Sequence, residues 1–219
     1  MDAAKLQDRI YAGYAKAAKR IGYVYDVYRP ASAADPLTAK VASLNASFSA
    51  QEWSYTRPNL PDKPYWYCLI DGRQTQVGDY LVRGPAAHFI AGMQSELPIL
   101  TVECNGKVWL ARPAASDAVG DVGDVGYSGS CGHVDTPVLG TSGGPGWPAS
   151  ILFGGRTRRY EPLPASADEH GFQVLLPASI PVALRAADTL TDDLGRRFLV
   201  VGAERTDQLW RVDVTEVHA

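Results

Sequence analysis

Near the start of the chain, Leu6, Ile10, Tyr14, Ala17 and Ile21 recur at intervals of three and four, with Lys5, Asp8, Arg9, Lys16, Lys19 and Arg20 elsewhere on the wheel. That period predicts an amphipathic helix over 4–21, ended by Gly22. Tyr11 falls on the face that reads as exposed, and Tyr23, Tyr25 and Tyr28 follow in an alternating, strand-like segment. Such aromatic density favours packing, either on this chain's own barrel or on a partner subunit. From Arg29 to Pro64 the pattern weakens, and Pro30, Pro36, Pro58, Pro61 and Pro64 interrupt it. An extended arm follows, reaching to a neighbour or draped over its own domain.

The period then changes to that of strands. Residues 65–112 carry Tyr65 to Ile70, Val77 to Val82, Pro98 to Cys104 and Lys107 to Leu110, and Asn105-Gly106 between the last two is a hairpin signal. Residues 113–150 are rich in Gly, Ser, Asp and Pro and read as a linker. A second strand block runs from Phe172 to Val217, where Trp210, Val212 and Val214 alternate with polar positions, and Asp192 to Gly195 reads as a turn. The two blocks share a pattern. Asp79, Leu81 and Phe89 recur as Asp188, Leu190 and Phe198 at a constant offset of 109 (79 to 188, 81 to 190, 89 to 198), which suggests a duplicated barrel-sized unit.

The expected architecture is mainly β: helix and strand in 1–28, arm in 29–64, first β domain in 65–112, Gly/Ser/Pro-rich linker in 113–150 and second β domain in 151–219. Both β domains are expected to be small barrels or sandwiches. The 21 Gly and 15 Pro among 219 residues suit short strands and many turns. No run of ~18 apolar residues predicts a membrane span, and Asp2, Lys5, Asp8 and Arg9 leave no apolar signal region, so synthesis in the cytoplasm is expected. A net charge of −3 supplies no general grip on nucleic acid, and Arg156, Arg158 and Arg159 form the dense basic cluster.

Candidate chemistry is thin. Gly140-Thr141-Ser142-Gly143-Gly144-Pro145 is similar to the nucleophile loop of trypsin-like serine proteases, with His88 and Asp117 or Asp121 as the required base and orienter. His88 and Ser142 lie too close together in the chain for that family, whose serine sits late in its second barrel, and a Gly-rich linker is the better reading. Asp117, Asp121, Asp124 and Asp135 lack calcium-loop spacing, and Cys131 with His133 lacks a second ligand pair. Cys68 and Cys104 read as core residues. No cofactor, metal or catalytic residue is expected.

The chain resembles structural proteins of tailed-bacteriophage virions. The residues that carry this are Ile10-Tyr11-x-Gly13-Tyr14-x-Lys16-Ala17-Ala18 with Ile21-Gly22, Asp71 to Val82, Pro98 to Asn105, Trp147 to Leu152 and Leu190 to Phe198. The resemblance implies a non-enzymatic neck, head-to-tail connector, tail or baseplate component in a ring around the DNA channel. Its partners would be copies of itself and adjoining virion or fibre proteins, with DNA only as passing cargo and no membrane. Tyr11, Tyr14, Tyr23, Tyr25, Tyr28, Arg156, Arg158 and Arg159 are the candidate subunit-interface residues. The alternative is a fibre-attachment or carbohydrate-binding β module, with Trp53, Trp66, Trp109 and Trp147 stacking on ligand.

Overall fold

The computed structural model describes residues 2–50, 63–113, 135–141, 143–156 and 170–217. Helix α1 (Ala3–Ile21) starts at Asp2, whose carboxylate accepts from the Ala4 N–H, and ends at Gly22, whose N–H donates to the Ala18 carbonyl. Lys19 and Arg20 in the last turn complement the negative end of its dipole. The helix has rotated from the expected face: Tyr11 and Ala18 are its buried residues, while Ile21 is exposed. Tyr11 lies flat on Gly72, where a Cβ would stand within 2.6 Å of the ring, so the close approach requires glycine.

Six strands follow: β1 (Tyr23–Tyr28), β2 (Lys40–Ala50), β3 (Tyr65–Leu69), β4 (Tyr80–Arg83), β5 (Ala86–Gly92) and β6 (Ile99–Cys104). They close a barrel in the order β1-β2-β3-β6-β5-β4. The remainder, β7 (Gly106–Arg112), β8 (Thr136–Leu139), β9 (Trp147–Arg156), β10 (His170–Pro177), β11 (Thr189–Asp192), β12 (Arg197–Arg205) and β13 (Leu209–Glu216), form a seven-stranded sheet. Because β11 also pairs with β7, strands β7-β9-β10-β13-β12-β11 close a second ring. The fold is therefore mainly β, with an N-terminal helix and two barrel units.

Three expected boundaries change. The arm contains β2, which pairs with β1 through Val27↔Ala42 and Tyr25↔Leu44. Its small, Ser-rich residues give strand alternation little hydrophobic contrast. The linker contains β8 and the start of β9, and β7 belongs to the second barrel rather than the first. Asn105-Gly106 is no hairpin: β6 and β7 do not pair with each other, and Asn105 is the passage between barrels. Its N–H donates to the Ala149 carbonyl, while its side-chain amide exchanges hydrogen bonds with both main-chain groups of Ile151.

Strand register superposes the two rings. Tyr28↔Tyr80 corresponds to Ala111↔Thr189, Leu81↔His88 to Leu190↔Phe198, and Trp66↔Thr101 to Phe172↔Val214. Irregularities recur at matching places. The register shifts between Val27 and Tyr28 and between Leu110 and Ala111, and again between Ile90 and Gly92 and between Val200 and Gly202. The counterpart of β2 is split between β8 and β9, so the described end of the expected linker, from Thr136 on, belongs to an interrupted barrel strand.

The repeated Asp-x-Leu is thus structural. Gly78 (φ 91) and Ala187 (φ 70) occupy the left-handed region just before Asp79 and Asp188. Each carboxylate accepts from the backbone N–H three residues earlier, Gln76 and Arg185. Leu81 and Leu190 point into their barrels and are fully buried. The matched phenylalanines are not equivalent, because the second hairpin is one residue longer. His88 takes the place of Phe198, and Phe89 that of Leu199.

Candidate interaction surface

One polar clamp holds each ring shut where its first strand ends. Arg29, just beyond β1, donates from Nε and Nη2 to Asp79 at 2.9 and 2.8 Å; Arg112, at the end of β7, does the same to Asp188 at 2.7 and 2.8 Å. Both aspartates are buried, so the bidentate partner is what makes an ionised carboxylate tolerable there. The Asp79 carboxylate raises the Arg29 pKa, chiefly through this hydrogen bond. Asp192, fully buried at the β11–β12 turn, accepts from the Leu194 and Arg196 N–H groups and from Arg196 Nε, so Asp192-Asp193 is a turn device as expected. Asp71 is held below the usual carboxylate range, first by its hydrogen bonds from Arg73.

The barrels meet along an apolar seam. The outer face of β4, β5 and β6 contributes Tyr80, Phe89, Ala91 and Val102, all buried in one cluster with Trp147, Leu176, Ile180 and Trp210 of the second barrel. Tyr80 packs edge-on to Trp147 at 6.3 Å and its hydroxyl donates to the Pro148 carbonyl at 2.8 Å. The 29–39 loop is draped over its own molecule: the Ala33 carbonyl accepts from both Trp147 Nε1 and the Gly140 N–H. A separate cluster fills the first barrel with Val27, Ala46, Cys68, Ile70, Leu81 and Ile90 among others.

The expected interface tyrosines separate on this frame. Tyr11 and Tyr25 are buried in the chain's own core, Tyr25 edge-on to Phe48 at 5.2 Å, so they are corrected to packing residues. Tyr14 and Tyr28 are half-buried against the helix–barrel and inter-barrel cores. Burial, and then Tyr11 nearby, raise the Tyr14 pKa. Tyr23 remains exposed at 61%, with the Arg83 guanidinium 4.0 Å above its ring. Arg158 and Arg159 lie outside the described residues, as does the side chain of Arg156, whose backbone ends β9 opposite His170. Trp53, Ser142, Cys131, His133 and Asp117 to Asp124 also lie outside them.

Other candidates are absorbed by structure. His88 is buried, stacked on Phe48 at 4.1 Å, and burial pushes its pKa down to about 4. It faces a barrel interior, with no carboxylate hydrogen-bonded to it among the described residues. Trp109 is held between Gly140 and Gly146 and donates to the Gly144 carbonyl, while Trp147 is fully buried. Trp66 donates to Glu103. A cleft of about 460 Å³ lies beside Trp109, Leu139, Thr191 and Asp192 of the second barrel. Among the described residues no group of three or more His, Cys, Asp or Glu converges to hold a metal, and no helix is long and apolar enough to cross a membrane.

Among the described residues the exposed large apolar side chains include Val41, Leu97, Phe153 and Leu194, and the rest fall in two groups. Ile21, Tyr23 and Val24 lie where α1 enters β1. Leu199, Val201 and Val217 lie on the outer side of β12 and just past β13. Of these residues the sequence offered Tyr23 alone as an interface candidate. The rest emerged only when ring closure showed which side of each strand is outside. Comparison of the chain with protein-family models, curated proteins and solved structures returned no match.

Proposed function

We propose that the chain is a non-enzymatic structural component of a tailed-phage virion, one subunit of a ring-shaped neck, tail or baseplate assembly around the DNA channel. The observation that carries this reading is the pair of exposed apolar groups, on two barrels that share one apolar seam. A subunit that contacts a neighbour on each side needs two such faces, held at a fixed mutual geometry. The surface aromatics support assembly over ligand stacking, because Trp109 and Trp147 are committed to turns and core. A net charge of −3 suits a subunit beside DNA that must slide past without being held. Purified phage particles produced in the bacterial host provide the test. Mass spectrometry is expected to find the chain in them at constant stoichiometry, and particle imaging is expected to place it in a ring on the tail axis. Its absence from purified particles overturns the proposal.

A further inference from the structure

The outward side of α1 is a stripe of cations. Lys5, Arg9, Lys16, Lys19 and Arg20 are all exposed, and none makes an ion pair among the described residues. Elsewhere Arg29, Arg73, Arg112 and Arg196 each clasp an aspartate. With the turn of an α-helix the five fall within an arc of ~100° and run ~22 Å along the axis, on the side away from the buried Tyr11 and Ala18. Ala12 and Gly13 keep the middle of the stripe low, with open space at Gly13. This arrangement works against the helix. Lys5 with Arg9 and Lys16 with Arg20 are like-charge pairs at i,i+4, and Lys5, in a first turn that holds no acidic residue, opposes the helix dipole. No ion pair among the described residues offsets those costs.

We infer that this stripe is a contact surface for the sugar-phosphate backbone of duplex DNA. A protein partner fits an apolar centre inside a polar rim, and between these cations stand only Ala12 and Gly13. A membrane takes up a helix through its apolar side, and that side of α1 is packed on β2, β3 and the core of the first barrel. A row of cations without an apolar centre matches a surface that is itself a row of charges, the phosphate strand. Within Ala3–Ile21 five cations face Asp8 alone, while the whole chain is −3, so the remainder is net acidic and the grip is confined to this face. A contact of four or five phosphates, roughly one per cation, is weak and indifferent to sequence, so DNA moves along the stripe.

The inference rests on the virion reading for DNA as the duplex at hand, and names the surface turned toward it. Fluorescence anisotropy of a labelled DNA duplex of random sequence, titrated with the full chain at low and at physiological salt, tests it. Wild type is expected to bind at low salt, with a slope of log affinity against log salt between about −4 and −5. The variant carrying Lys5→Gln, Arg9→Gln, Lys16→Gln and Arg20→Gln is expected to bind at least ~10-fold more weakly, with a slope of about −1. All four side chains are exposed and both like-charge pairs are removed, so its circular dichroism melt is expected no lower than that of wild type. Arg9→Gln with Lys16→Gln takes its place should it unfold, with the slope expected to shrink by about 2. Lys107→Gln with Arg205→Gln, at exposed cations of the second barrel, is expected to leave binding unchanged. Wild type that leaves the duplex free at low salt overturns the inference, as does a folded quadruple variant that binds like wild type. Wild type that binds phosphatidylserine vesicles and not the duplex overturns it in favour of a membrane surface. The virion reading fails separately, by absence of the chain from purified particles.

Discussion

His88 shows how one residue's place in a repeat decides its chemistry. Its counterpart is Phe198, and like Phe198 it fills a barrel, stacked on Phe48 and edge-on to Tyr25 at 6.3 Å. An imidazole in that position must stay neutral, since burial disfavours the charged form. The unfolded chain takes up the proton near pH 6.5, whereas the folded chain resists it down to about 4. Over that window the unfolded state binds more protons, so stability is complete above pH 6.5 and falls as the pH drops toward 4. The total loss is about 3 kcal/mol for a shift of this size. Replacing His88→Phe is expected to remove that part of the acid sensitivity, read as the difference in urea unfolding free energy between pH 7.5 and pH 4.5 for variant and wild type. An unchanged difference would place the titrating group elsewhere. Chain order made His88 the candidate base upstream of Ser142, the short spacing already argued against it, and its inward orientation assigns it to packing.

At the scale of elements, the two clamps do equivalent work at the junctions β1–β4 and β7–β11. Each closes a ring by tying an arginine at the end of the first strand to a buried aspartate just before β4 or β11. Arg29→Met and Arg112→Met would each leave a buried carboxylate with its backbone N–H but without its cation. Each is expected to cost about 3 kcal/mol in urea unfolding, the scale of breaking a buried pair from one side. A loss below 1 kcal/mol for either would mean that its ring closes through the strand ladder alone. The aspartates and leucines of this element were legible as a repeat of 109 positions. The arginines were not, because they approach from other strand ends, 50 and 76 residues away in the chain. The matching of Phe89 with Phe198 was a coincidence of numbering that the two-residue and three-residue hairpins expose. Strand β2 escaped notice for a different reason: alternation of Ser and Asn with Ala, Leu and Phe carries a weak signal until the barrel buries one side of it.

The whole molecule is two rings welded by one apolar seam, and its unfolding should reflect that. Because Tyr80, Phe89 and Val102 share a cluster with the interior of the second barrel, both barrels are expected to unfold in a single transition. Far-UV circular dichroism and tryptophan fluorescence should then coincide, since Trp66 reports on the first barrel and Trp109, Trp147 and Trp210 on the second. Tyr80→Ala removes the ring against Trp147 and the bond to Pro148, and is expected to cost about 4 kcal/mol and to separate the two signals. Two separate transitions in wild type would refute the shared core. The sequence by itself determined the helix, most of the strands, the β class and the existence of a repeat, because these follow from local periodicity and turn chemistry. Tertiary structure alone decided ring closure, the passage at Asn105, the burial of Tyr11 and Tyr25 and the exposure of Leu199, Val201 and Val24. Which side of a strand meets water depends on partners distant in the chain, and no local pattern encodes them.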